Sequence, residues 1–110
     1  MYYKRRRNNS VATTTGVRVP KTAKQMERHF KGIANHRRIE ILLAIAHDRG
    51  ITVEGISERL QCNFKTISEH VHRLVHAGLV NKKYQGHFVT HSLSPYGNTF
   101  VSFLESFSNS

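Results

Sequence analysis

The sequence predicts a mainly α-helical domain of about five helices with one two-stranded β hairpin near its C-terminal end. Three observations predict it. Apolar residues recur at helical spacing in successive short stretches. These stretches are framed by capping residues such as Asn35, Thr52, Asn63 and Ser94, or by a glycine just past the end, as at Gly50 and Gly78. The segments on either side of Gly86 read as two short strands meeting at a turn.

In order, Ala23, Met26, Phe30 and Ile33 repeat at helical spacing and give a first amphipathic helix over about 23–32. Asn35 caps a second helix whose buried stripe is Ile39, Leu42, Leu43 and Ala46, with Gly50 as the stop. Thr52 opens a short third helix with Val53, Ile56 and Leu60 on its inward face. A tight turn, Gln61-Cys62-Asn63, leads to a fourth helix over about 64–76, with Ile67, Val71, Leu74 and Val75 inside and Lys65, Ser68, Glu69, His72 and His76 outside. Ala77-Gly78 halts it. Strands follow over 79–84 and 88–93, joined at Gln85-Gly86. Ser94-Pro95 then starts a last helix, serine as cap and proline in its first turn. The apolar face of that helix reads as Tyr96, Phe100, Phe103, Leu104 and Phe107.

A chain of 110 residues suits one compact domain. Its longest uninterrupted apolar run, Ile41 to Ala46, is far too short to span a membrane. The basic N-terminus lacks the apolar stretch of a secretory signal, and a lone cysteine, Cys62, allows no internal disulfide, so a cytoplasmic setting is expected. The net charge is +10, but residues 1–24 hold seven Lys or Arg and no acid, which leaves ten basic against seven acidic residues in 25–110. Residues 1–24 are therefore expected to be a flexible basic arm, and 25–110 the folded domain. Such a balance suits phosphate-bearing partners, an anionic membrane surface, or mere solubility, and charge alone does not choose. An enzyme is not expected: no paired acids, no nucleophile with a base at useful spacing, and no glycine-rich phosphate loop after a strand stand out.

Two short helices joined by a three-residue turn, the second polar outside and followed by a hairpin, make the winged helix-turn-helix arrangement. A helix is about as wide as the DNA major groove, and a hairpin beside it presses cations onto the flanking backbone. The residues also resemble the ArsR-like winged-helix repressors and their MarR-like relatives, over roughly 25–108. The most specific stretch is Thr66-Ile67-Ser68-Glu69-His70-Val71-His72-Arg73-Leu74-Val75-His76-Ala77-Gly78-Leu79-Val80, which is similar to the family's recognition helix and its A-G-L-V exit. Ile33-Ala34-Asn35-His36-Arg37-Arg38-Ile39 and Leu93-Ser94-Pro95-Tyr96-Gly97 resemble two further family segments. The resemblance implies a homodimer, with first and last helices packed on their symmetry mates, bound to an operator of two inverted half-sites. Four aromatics within twelve residues of the last helix suit that use. The cysteine pair of the family's metal sensors is absent from Val53-Glu54-Gly55-Ile56, and the last helix has no His or Asp, so no metal and no other cofactor is expected.

The residues expected at double-stranded DNA are Asn63, Phe64, Lys65, Thr66, Ser68, Glu69, His72, Arg73, Lys82, Lys83 and His87. Lys65, Thr66, Ser68 and His72 approach bases or phosphates; Glu69 accepts from a cytosine amine or repels wrong sequences; Phe64 suits a thymine methyl group. Asn63 holds a phosphate or only caps. Lys82 and Lys83 face opposite ways, so at least one meets solvent or DNA. His87 and His91 are either phosphate contacts or plain surface residues. His72 and His76 have the spacing of two metal ligands, but two ligands without a third are not a site. His70 reads as a packing histidine and Cys62 as a small buried hydrophobe. Arg5, Arg6 and Arg7 are a minor-groove arm or a nonspecific tail. The dimer contacts are expected at Met26, Phe30, Phe100, Phe103, Leu104 and Phe107. The function expected is that of a sequence-specific transcriptional repressor; the alternative is a winged helix used only for protein interaction.

Overall fold

The computed structural model describes residues 19–110. The expected arm lies outside the described residues as far as residue 18, Arg5, Arg6 and Arg7 included. The elements run α1 (Ala23–Ile33), α2 (His36–His47), α3 (Val53–Leu60), α4 (Phe64–His76), β1 (Val80–Gln85), β2 (Phe88–Leu93) and α5 (Pro95–Ser108). The helix order, the hairpin and the caps are those expected. Asn35 accepts from the amides of Arg37 and Arg38, Thr52 from Gly55, and Ser94 from Gly97. Each satisfies a first-turn N–H that has no partner inside its helix. The cap of α1, unforeseen, is a capping box in which Thr22 and Gln25 bond each other's backbone.

The core lies where α2, α3 and α4 meet under the hairpin. Ile41, Leu42, Ile45, Ile56, Ile67, Leu74 and Leu79 are its deepest side chains, with Val71, Val80 and Val101 beside them. Cys62 is half-buried against this cluster, in the role expected of it. Gln61 ends α3 in the left-handed region, at φ 53, where its own Nε2 donates to the carbonyl of Glu58 at 3.1 Å. An L side chain there costs roughly 1 kcal/mol, which that bond partly offsets.

The two segments flanking the hairpin, each matched to a family motif, prove to be halves of one joint. The Ser94 amide donates to the carbonyl of Leu79 at 3.0 Å, and its hydroxyl donates to the carbonyl of Gly78 at 2.7 Å. A Cβ at position 97 would collide with the Leu79 carbonyl oxygen, so only glycine lets α5 start here. Gly32 is fixed likewise by the Ala77 side chain, and this lets α1 cross the end of α4 closely.

Two expectations need correction. The strands meet at Gly86-His87, one residue later than read, with β1 and β2 in register from Val80 opposite Leu93 to Gln85 opposite Phe88. A positive φ at Gly86 and not at His87 is the pattern of a type II′ turn. His91 is not at the surface: it is 2% exposed, and its ring Nδ1 donates to the carbonyl of Ile51 at 2.9 Å. Its backbone bridges the same residue, which adds a third, one-residue strand to the wing. Elsewhere, α1 turns His29 and Ile33 to the core and leaves exposed Met26 and Phe30, the two residues of this helix expected at a dimer contact. On α5 the buried residues are Gly97 and Val101, Phe100 and Leu104 pack partly against the core, and Tyr96, Phe103 and Phe107 are exposed.

Candidate nucleic-acid interface

α4 owes its position to both ends. At the start, the side-chain Oδ1 of Asn63 accepts from the amides of Lys65 and Thr66 at 2.8 and 3.2 Å, so of the two uses foreseen for Asn63 the cap is the one present. At the finish, α1 supplies the partners for its free carbonyls. Arg28 Nη2 donates to His76 at 2.6 Å, and His29 Nδ1 donates to Ala77 at 2.7 Å. A cation at a helix C-terminus also opposes the negative end of the dipole. Sequence reasoning missed both residues, since nothing local says that α1 crosses there.

Between these ends Ile67, Val71 and Leu74 are buried, and the opposite face is open. Lys65, Thr66, Glu69, His72, Arg73 and His76 are exposed, Ser68 is half-buried at the edge, and Phe64 stands half exposed at the tip. The His72 and His76 rings stack at 6.2 Å, the i, i+4 pairing seen in the sequence. No group of three or more His, Cys, Asp or Glu that would hold a metal occurs among the described residues.

Beside this face, α2 brings Arg38 into the grooves that Arg73 lines, and Arg37 into the field of His70. Arg37 is paired with Glu40 at 2.8 Å, whereas neither Arg38 nor Arg73 has a carboxylate within ion-pair distance among the described residues. Burial, and then repulsion from Arg73, lowers the Arg38 pKa from its ordinary value. His70 lies in the same field. Burial first, then Arg38, pushes its pKa down; Glu69 opposes this, and Arg37 and Arg73 add to it. His70 is half-buried, the packing position expected, yet its surroundings are cationic. Arg37 and Arg38 were absent from the expected site, although they stood in a segment already matched to the family.

The wing completes the surface. Lys82 lies on the hairpin face that is buried at its base by Val80, His91 and Leu93, and emerges near Tyr84, its Nζ 6.0 Å from that ring. Lys83 lies on the other face, opposite Thr90. Both lysines and His87, in the turn, are exposed.

A second surface is apolar. Phe30 and Phe100 meet edge to face at 5.1 Å, and Phe103 and Phe107 stack at 5.5 Å. Met26, Phe30, Phe100 and Phe103, with His29 and Tyr96, line a groove of about 300 Å³ between α1 and α5. Phe103 and Phe107 are 55% and 66% exposed, while Phe100 and Leu104 are partly covered by the core of the same domain. The six residues expected at a dimer contact thus lie on the two helices named, in graded exposure.

Helix, turn, helix and hairpin in this order and with this packing define a winged helix-turn-helix protein. The chain belongs to the HVO_A0114 family, whose model matches residues 33–93, more than half of its length. No curated protein matches it. Among solved structures it is similar to HlyU from Vibrio cholerae N16961, at 26% identity and TM-score 0.73 over 84% of this chain and 100% of that one. The transcriptional regulator HlyU from Vibrio vulnificus CMCP6 is similar at 26% identity and TM-score 0.67, over 77% and 88% of the two chains. A homodimeric winged helix-turn-helix DNA-binding domain from Mycobacterium bovis, Mb0332, described as a possible ArsR-family regulator, shares the fold at 24% identity and TM-score 0.71, over 78% and 80%. The resemblance read from the sequence therefore holds: the structural neighbours are winged-helix regulators of the HlyU and ArsR kind.

Proposed function

We propose that the chain is a homodimeric regulator of transcription that binds double-stranded DNA by sequence and acts as a repressor. The observation that carries this is the outer face of α4: fixed at both ends, polar along its length, and flanked by exposed lysines on a hairpin. That face fits a major groove, where Lys65, Thr66, Ser68 and His72 reach base edges or phosphates and Glu69 selects against mismatched bases. Phe64 meets a thymine methyl. Lys82, Lys83 and His87 lie along the flanking backbone. The kinship with HlyU regulators supports the same reading.

Dimerisation through Met26, Phe30, Phe100, Phe103, Leu104 and Phe107 covers the aromatic surface and presents two α4 helices to half-sites about one helical turn apart. The setting is cytoplasmic; no described helix is long and apolar enough to cross a membrane. The test is selection from random duplexes, followed by titration at rising salt. A pseudo-palindromic site bound with steep salt dependence is expected. Absence of duplex binding even at low salt overturns the reading.

A further inference from the structure

We propose that Arg38 of α2 and Arg73 of α4 clamp one and the same backbone phosphate of the bound duplex. This rests on the DNA reading above and adds to it a residue, a ligand group and a stoichiometry. Two grooves adjoin on the α2 side of α4. One is bounded by Arg28 and Lys31 of α1 and the other by Ser68 and His70 of α4, and both are lined by Arg38, His72 and Arg73. Arg38 and Arg73 share both grooves; Glu69 lines the second of them as well, yet among the described residues no carboxylate is within ion-pair distance of either arginine. Glu69 stands one turn before Arg73, the spacing of a helical ion pair, and no such pair forms. The buried Nε of Arg38 has no hydrogen-bond partner.

A buried donor without an acceptor, beside a second unpaired cation, is a costly arrangement in a free protein. It becomes favourable once an anion enters. A phosphodiester suits it best, because its oxygens match the fork of a guanidinium and it carries a single negative charge to share between two arginines. The place fits the source. A helix lying in a major groove has its flanks toward the phosphate walls, and Arg73 lies on the flank of α4 that adjoins α2, beside the base-facing residues. Ser68 offers a hydroxyl on the same rim.

The experiment measures duplex affinity against salt for the wild type, Arg38→Gln, Arg73→Gln and the double variant, with thermal unfolding to check each fold. Each single variant is expected to bind roughly tenfold more weakly at moderate salt and to lower the slope of log K against log salt by about one. The double variant is expected to lower it by about one as well, since one phosphate is lost in every case. Sequence preference stays unchanged.

A slope that falls by about two in the double variant overturns the shared clamp. So does an unchanged slope in both singles, or a change in preferred base pairs. If Arg38→Gln does not fold, Arg73→Gln and the charge-keeping Arg38→Lys read the same point. The first loses the slope increment; the second keeps it while binding more weakly. Inorganic phosphate is added at matched ionic strength as a further arm. A loss of duplex binding beyond that caused by chloride is expected in the wild type and not in the double variant, because free phosphate competes for the clamp; an equal loss in both overturns the assignment. Duplex binding with unaltered slopes sinks the clamp alone, whereas a wild type that binds no duplex sinks the DNA reading with it.

Discussion

The outer face of α4 and the outer face formed by α1 and α5 are both open to solvent, and they are built from opposite chemistry. On α4, apart from Phe64 at its tip, the exposed residues include Lys65, Thr66, Glu69, His72, Arg73 and His76, side chains that lose nothing by standing in water. On α1 and α5 they are Met26, Phe30, Phe103 and Phe107, side chains that do. The first face can wait for a partner and exchange it; the second needs a permanent cover. On the function proposed above, the difference teaches that one helix geometry serves two kinds of association: the polar face reads a half-site by itself, and the apolar face, by pairing two copies, would set the register for a full site. Each variant below breaks or sharpens that contrast.

The largest effect is expected from Gly97→Val, which destroys both faces at once. Its side chain enters the space of the Leu79 carbonyl, the joint from which α5 and the end of α4 take their places. A loss of about 3 kcal/mol or more is expected in denaturant unfolding, and a stable variant would show that the joint is not tight. Next comes Phe103→Asp, which charges the centre of the apolar face and leaves α4 intact. Sedimentation should give a monomer, a full palindromic site should bind on the order of a hundredfold more weakly, and an isolated half-site should bind as before. A variant that stays dimeric would place the dimer contact elsewhere. Lys65→Ala works on the other face: it should cost about 1–3 kcal/mol at particular base pairs and leave the oligomer unchanged. A uniform loss over all sequences would make Lys65 a phosphate contact. Gln61→Gly relieves the left-handed strain between α3 and α4, and it also forfeits the bond to Glu58 and frees the unfolded chain. A net gain of less than about 1 kcal/mol in thermal unfolding is expected, with DNA preference untouched.

Most of the architecture was legible because it is local. Caps at Asn35, Thr52, Asn63 and Ser94 and the spacing of Ile67, Val71 and Leu74 specify their helices within a few residues. What escaped depends on contacts between distant segments. Arg28 and His29 look like any polar residues of an amphipathic helix until α1 is seen to cross the end of α4. Arg38 gains its importance only from Arg73, thirty-five positions later. His91 was a misreading that the sequence itself would have corrected. Strand alternation puts Val89, His91 and Leu93 on one face, and a histidine between two apolar neighbours on a buried face needs a partner of its own. The chemistry of α1 and α5 was legible as an apolar excess, but not which of its residues the domain's own core already covers.

The smallest effect concerns His70, which stands between the polar face and the arginines of α2. Burial and the positive charges of Arg38, Arg37 and Arg73 lower its pKa in the folded chain, and Glu69 opposes them only in part. In the unfolded chain it titrates near its ordinary value of about 6.5. Between that value and the lower folded one, the unfolded chain binds the extra proton. Stability on this account is therefore complete above about pH 6.5 and falls as the solution is acidified toward the folded pKa. His70→Asn should flatten that part of the stability profile measured by thermal unfolding, and an unchanged profile would show that His70 is not the group responsible. A phosphate held at Arg38 and Arg73 cancels part of the field that keeps His70 neutral. Duplex binding should then take up a proton, and affinity should rise modestly on acidification in the wild type and less in the variant. If affinity rises equally in both, the proton is taken up at another histidine, and His70 reports only on the stability of the polar face.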